Sequence, residues 1–150
     1  MACTDASATY ALVAACDGVH SAVRTRIAPL ARINTVQEYI DSGYVELRVP
    51  PGPSDTASPA WQLSVSCLHI WPRHDYMLIA LPNVDGSFTS TLFAPFRVFA
   101  EHCREKASVL AFFRANFPDA LAVMDEDELV EHLTSRTPSS LGSVQCSPMH

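Results

Sequence analysis

Glycine is scarce in this sequence of 150 residues: five occur, and no two lie closer than nine positions. The dinucleotide-binding fingerprint G-x-G-x-x-G and the P-loop both need closely spaced glycines, because backbone amides must approach phosphate oxygens. Neither motif occurs. The printed sequence therefore contains no phosphate-binding loop of either type.

Basic residues are also few: ten Lys and Arg residues stand against sixteen Asp and Glu residues, which gives a formal net charge of −6. This balance argues against a cation-lined nucleic-acid groove. No apolar run reaches the roughly 18 residues of a membrane-spanning helix. Residues 1–15 lack the basic start of a signal peptide. The five cysteines form no C-x-x-C pair, which predicts reduced thiols and a cytosolic location for the chain alone.

Apolar residues, in contrast, make up 48% of the sequence, which is enough for a packed core. Residues 9–16 form a continuous apolar run that predicts a strand buried on both faces. Residues 19–27 predict a short helix or turn stopped by Pro29. Residues 42–49 alternate between apolar and polar side chains, as a strand with one solvent-exposed face does. Residues 50–60 contain four prolines and predict a loop.

A meander and three helices are predicted next. Short strands at 68–71, 76–81 and 88–93 are separated by turn-forming residues at 72–75 and 82–87, the pattern of an antiparallel meander. Apolar residues then recur at helical spacing. We expect helices over 96–103, over 108–117 with Ser108 as the cap and Pro118 as the stop, and over 125–133. From Thr134 the chain is predicted to be a tail without regular structure.

The acidic run at residues 125–128 and the histidines have two interpretations each. Acidic residues suit the first turn of a helix, and this interpretation is favoured over a metal site. Cys67, His69, His102 and Cys103 lack the spacing of a zinc site. His69 is expected to be a hydrogen-bonded histidine of the sheet. We predict no metal site.

The polar segment that follows the first predicted strand is a candidate ligand site. Asp17 and Gly18 come directly after the apolar run, and ligands of open α/β sheets bind at the carboxyl ends of strands. An equally weighted alternative is structural, with Asp17 capping the next helix and Arg24 pairing with it.

This segment resembles the motif D-G-x-x-S-x-V-R of the flavin-dependent aromatic hydroxylases, with Gly18, Ser21, Val23 and Arg24 at the fixed positions after the first Asp. In that family the segment lies beside the ribityl and pyrophosphate portion of FAD and near the approach of NADPH. The resemblance therefore implies that Asp17, Gly18, Ala22 and Arg24 bind cofactor.

Later segments resemble the branch of this family that hydroxylates L-kynurenine, and the likeness covers roughly residues 10–150 apart from an extra stretch at 61–67. The stretches that carry it are 37–40, 43–47, 68–73, 77–83, 87–93 and 117–120. It implies that NADPH reduces bound FAD and that O₂ then yields a flavin hydroperoxide, which hydroxylates the ring of kynurenine in tryptophan catabolism. The cofactor carries the chemistry, so no catalytic protein residue is expected.

The same resemblance implies an apolar substrate wall at Leu68, Met77, Ile79, Leu81 and Phe93. Alternation independently places Met77, Ile79 and Leu81 on one face of their strand, and Met adapts well to an irregular ligand surface. The alternative is that all five are core residues that face helices.

The fold class expected is α/β with α+β character: a fragment of the Rossmann-like flavin hydroxylase fold, mainly an antiparallel or mixed sheet with helices on one side. We expect a remnant of the FAD-binding domain at 1–30, the substrate-binding part at 31–135 and a tail at 136–150. The family's glycine fingerprint, its later Gly-Asp segment and its membrane anchor do not occur in this sequence.

The chain is therefore expected to be inactive alone, whereas the complete eukaryotic-type enzyme would lie on the cytosolic face of the mitochondrial outer membrane. Two alternatives remain: a non-catalytic module that binds small aromatic ligands, and a truncated interaction fragment.

Overall fold

The computed structural model describes residues 9–53 and 60–147. Five strands form one open antiparallel sheet in the order β2-β3-β4-β1-β5, and five helices accompany it. This mixed architecture confirms the predicted fold class. The elements in chain order are α1 (Ala22–Ala31), β1 (Asn34–Val49), β2 (His69–Arg73), β3 (Tyr76–Pro82), β4 (Phe88–Pro95), α2 (Phe96–His102), α3 (Lys106–Asn116), α4 (Pro118–Leu121), α5 (Glu126–Ser135) and β5 (Ser139–Ser147).

The chain divides into two compact units. One comprises Met1–Glu38 together with Gly142–His150, and it includes α1. The other comprises Tyr39–Leu141, and it contains the meander and helices α2 to α5. The expected domain boundaries at residues 30 and 135 remain predictions.

The antiparallel meander of β2, β3 and β4 confirms the prediction from alternating residues and tight turns. Leu78 of β3 pairs with Trp71 of β2 on one side and with Leu92 of β4 on the other. β4 in turn pairs with β1, where Val45 lies opposite Leu92. Because directly opposed residues share a face, Leu78, Leu92 and Val45 form one apolar row across three strands.

That row belongs to the face of the sheet that joins the core. Leu78, Ala80, Phe88 and Leu92 are fully buried there. Aromatic side chains of α3 and the residue after it complete the same cluster: Phe113 and Phe117 are also fully buried, with ring centroids 5.5 Å apart. The meander is therefore fixed from one side by a dense apolar layer.

Helix starts differ in part from the prediction. α5 begins as expected, with the Asp125 carboxylate accepting a hydrogen bond from the backbone N–H of Glu128 at 2.8 Å. Ser108, however, is not the cap of α3: the helix begins at Lys106, and the Ser108 hydroxyl donates to the carbonyl of Glu105. Pro118 starts α4 as well as ending the preceding helical run, because a first-turn proline sacrifices no helical hydrogen bond.

Four other expectations are wrong. Residues 9–16 form no strand, and Tyr10, Leu12 and Val13 are all more than 70% exposed. A strand needs neighbours to satisfy its backbone, and the described residues offer this run none. Pro29 lies inside α1 rather than ending it. The predicted tail contains β5, and β2 continues through the predicted turn to Arg73. Of the predicted loop at 50–60, residues 54–59 lie outside the described residues.

Candidate functional site

The candidate substrate residues lie on the face of the meander opposite the core. We call this side of the meander the open face; its apolar residues are Ile70, Met77, Ile79, Leu81 and Phe93, together with Leu68, which precedes β2 and has the same parity as Ile70. Leu68 is 50% exposed, Met77 39% and Leu81 47%, whereas the neighbouring Leu78 and Ala80 are completely buried. Leu68, Met77 and Leu81 are therefore not part of a core that faces helices, while Ile79 and Phe93 are half-buried on the same face. Their role in substrate binding stays a prediction.

Strand register determines how the open face is arranged. Phe93 lies opposite Met77 on one side and opposite Tyr44 on the other, with the Tyr44 and Phe93 ring centroids 5.8 Å apart. Ile79 lies opposite Ile70 on β2. These rows form a continuous apolar surface across neighbouring strands. At one end, Met77, Phe93 and residues 72–76 line a shallow depression of about 240 Å³.

The open face becomes polar towards β1. Thr91 lies between Ile79 and Glu46, and Thr89 lies between Leu81 and Arg48. Arg48 approaches the Asp85 carboxylate at 4.0 Å, at the far end of the sheet. An aromatic ring placed on the β2–β3 side would therefore contact hydrocarbon and have polar groups at its margin.

Sequence reasoning missed Ile70, Tyr44 and Thr91 as members of this surface. Ile70 could have been found, since it has the same parity as Leu68 on a predicted strand. Tyr44 and Thr91 depend on which residues of β1, β3 and β4 stand opposite each other, and alternation within one strand carries no such information.

Polar contacts attach the edge hairpin to the helical layer. The Trp71 indole N–H donates to the Asp119 carboxylate at 2.6 Å. The Arg73 guanidinium donates to the carbonyl of Asn116 at 2.8 Å and lies over the ring of Phe117. These bonds join β2 to the helical layer, while strand pairing joins it to β3. Residues 71–73 lie within β2, so the tight turn of this hairpin comes after them, and the polar contacts of Trp71 and Arg73 are made within the protein.

The segment around Asp17 caps the start of helix α1. The Asp17 carboxylate accepts hydrogen bonds from the Ser21 hydroxyl at 2.5 Å and from the Val23 backbone N–H at 3.1 Å. Ser21 caps α1 by accepting from the backbone N–H of Arg24 at 2.9 Å. These bonds, led by that from Ser21, lower the pKa of Asp17 below its ordinary value. The carboxylate is therefore ionised at neutral pH and orders the start of α1.

The expected pairing of Arg24 with Asp17 is wrong. The Arg24 guanidinium donates instead to the backbone carbonyls of Gly18 and Val19. Gly18 has φ +77°, a conformation that glycine adopts without steric cost. Ala22 is the first residue of α1. The four candidate cofactor residues thus lie together in one turn and helix start.

The remaining titratable candidates have structural partners. His69 Nε2 lies 2.8 Å from the carbonyl of Ser64, and its ring stacks on Trp71, which confirms the interpretation as a hydrogen-bonded sheet histidine. His102 stacks on Phe112. Burial raises the pKa of the Cys103 thiol to about 11, so it is protonated and unreactive at neutral pH.

Within residues 9–53 and 60–147, no three His, Cys, Asp or Glu residues cluster as metal ligands, and no helix is long and apolar enough to cross a membrane.

Sequence comparison places these features in a family. No protein-family profile matches the sequence. Kynurenine 3-monooxygenase of Mycosarcoma maydis is 47% identical over an alignment that covers 92% of this chain and 26% of that enzyme. The enzymes of the same name from Candida albicans and Drosophila melanogaster are 43% and 42% identical, over 95% and 93% of the chain. The chain spans between a quarter and a third of the length of these relatives. By sequence, the chain belongs to the kynurenine 3-monooxygenase family and corresponds to a segment of its members.

Proposed function

We propose that this chain supplies the substrate-side wall for the hydroxylation of L-kynurenine to 3-hydroxykynurenine by an FAD- and NADPH-dependent monooxygenase. The open face is the observation that carries the proposal. Its apolar side chains are exposed or half-buried in the described part of the chain, yet they stand on strands fixed by a fully buried core. Surfaces of this kind are typical of ligand sites built on a rigid scaffold.

The physical role of this wall would be to bind and orient the substrate ring. Burying an aromatic ring against Met77, Ile79 and Phe93 removes apolar area from water, at about 25 cal/mol per Å². The same contact excludes water from the reacting carbon, which matters because a hydroperoxide exposed to water is lost without product. Bound FAD would supply the oxygen activation itself.

The residues present are compatible with part of an FAD site. The Asp17 carboxylate can accept hydrogen bonds from ribityl hydroxyls, and the Arg24 guanidinium, which here donates to the carbonyls of Gly18 and Val19, would exchange those partners to bind a phosphate. We propose that Asp17, Gly18, Ala22 and Arg24 hold the ribityl and pyrophosphate portion. Since the sequence lacks a glycine fingerprint, we expect the isolated chain to retain no flavin. Visible flavin absorbance that copurifies at near-stoichiometric levels would contradict this expectation.

For the complete enzyme we propose attachment to the cytosolic face of the mitochondrial outer membrane. The occurrence of the similar enzymes in fungi and in an insect supports a eukaryotic-type protein. Fractionation of mitochondria with an antibody against this segment tests the location, and a purely matrix signal would refute it.

A segment exchange tests the function. Residues 9–147 replace the aligned segment of the Mycosarcoma maydis enzyme, and formation of 3-hydroxykynurenine is measured with NADPH and kynurenine. We expect the chimera to be active. We expect Met77→Asp on the open face to lower kcat/KM at least about tenfold, since it places a charge against an apolar ring.

The matched control is Val84→Asp, which introduces the same charge at a turn residue that is 96% exposed, and it should leave kcat/KM within about twofold. Equal losses in both variants would overturn the proposal. Kynurenine binding by the isolated chain without FAD would instead favour the non-catalytic binding module, and concentration-dependent oligomers would favour the interaction fragment.

A further inference from the structure

Thr91 is a polar group at the boundary between the apolar and polar parts of the open face. It lies directly opposite Ile79 on β3 and Glu46 on β1, and its side chain is partly buried. The other hydroxyls of β4 have partners: Thr89 accepts from the Asn83 amide at 3.1 Å, and Ser90 donates to the carbonyl of Ile79 at 2.7 Å. Thr91 Oγ1 has no hydrogen-bond partner among the described residues.

A substrate ring on the open face would remove water from this hydroxyl. Burying a hydroxyl without a hydrogen bond is costly, and the β3 neighbour of Thr91 is the hydrocarbon of Ile79. A ligand that fits this surface therefore carries a polar group at the edge of its aromatic ring, within reach of Thr91. Kynurenine has such a group. Its ring amine stands beside a ketone, so one N–H bonds internally to that oxygen and the other is free to donate.

We propose that Thr91 is a specificity-determining residue whose Oγ1 accepts a hydrogen bond from the free N–H of the substrate's ring amine. This inference rests on the proposed function, because it requires the ring to lie on the open face. Thr91 would then select for aryl ketones with an ortho amine over analogues without one. A neutral hydrogen bond of this kind corresponds to a preference of about threefold to tenfold.

The experiment uses the active chimera and compares the binding of kynurenine with that of benzoylalanine, the analogue that lacks the ring amine. Dissociation constants are measured by the change in flavin fluorescence. Thr91→Val removes the hydroxyl and keeps the side-chain shape, whereas Thr91→Ser keeps the hydroxyl. Thr89→Val is the matched control, since it makes the same change two residues away at a hydroxyl that already has a partner.

We expect Thr91→Val to weaken kynurenine binding about threefold to tenfold and to leave benzoylalanine binding unchanged or tighter. Thr91→Ser and Thr89→Val should both keep the original preference. If the valine variant does not retain flavin, Thr91→Ala provides a second hydroxyl-free protein. An unchanged preference in a hydroxyl-free variant would overturn the assignment of Thr91 while leaving the proposed function intact. An unchanged kcat/KM for Met77→Asp would overturn the function itself.

Discussion

Leu78 and Ile79 are neighbours in β3 whose side chains point to opposite faces of the sheet. Replacement by Ala should therefore mainly lower stability at Leu78 and mainly weaken kynurenine binding at Ile79. Leu78 is completely buried between β2, β4 and the helical layer. Replacing it with Ala removes the equivalent of three methylene groups, about 2.5 kcal/mol of transfer free energy. A residual cavity raises the total to about 3–4 kcal/mol. Ile79 is only partly buried on the open face, and Ile79→Ala should cost about 1 kcal/mol or less.

Urea unfolding of the isolated chain measures this difference through the fluorescence of Trp61 and Trp71, which both lie in the unit formed by Tyr39–Leu141. The midpoint of Leu78→Ala should fall by roughly 1–2 M, and that of Ile79→Ala by a small fraction of this. Ile79→Ala should instead affect function: a chimera that carries this substitution and still binds flavin should have a lower affinity for kynurenine. Equal destabilisation by the two substitutions would refute the assignment of the two faces.

Three further predictions follow from particular contacts. Gly43→Ala should lower the free energy of unfolding by about 1–3 kcal/mol, since a Cβ there would lie 2.6 Å from the carbonyl oxygen of Ser139 and 2.8 Å from the Phe96 ring; an unchanged urea midpoint would contradict this. Hydrogen bonds from Ser21, Ser87 and Lys106 lower the pKa values of Asp17, Asp85 and Asp127 below 3.8, so the folded state binds protons less readily than the unfolded state and the urea midpoint should fall as the pH drops below about 4. A midpoint that rises on acidification would show the sign to be wrong. Iodoacetamide should label the exposed Cys16 and Cys67 in the folded chain and Cys103 only in urea, and rapid labelling of Cys103 without urea would contradict its burial.

The meander and the later helices could be predicted from sequence because their signals are local. Asp85-Gly86 marks a turn, alternation marks each strand, and the acidic start of α5 matches its observed cap. The prediction of a buried strand at residues 9–16 was wrong because an apolar run is buried in a sheet only where other strands are available to cover it. β5 was missed because its sequence is rich in Ser, its apolar alternation is limited to Val144 and Cys146, and its place in the sheet depends on pairing with β1.

The candidate site was predictable to a similar extent and for similar reasons. Alternation within β3 correctly placed Met77, Ile79 and Leu81 on one face, but it could not determine whether that face meets helices or stays open. The structure answers this because α3 and the Phe113–Phe117 cluster occupy the other side. The Arg24 contacts were missed because backbone carbonyls, which have no sequence signature, compete successfully for its guanidinium.

A crystal structure of the chimera with FAD and kynurenine tests the central claim most directly. We expect the kynurenine ring to lie within about 4.5 Å of Met77, Ile79 and Phe93, with its amine next to Thr91. A ring bound elsewhere, with these side chains still open to solvent or covered by polypeptide, would contradict it.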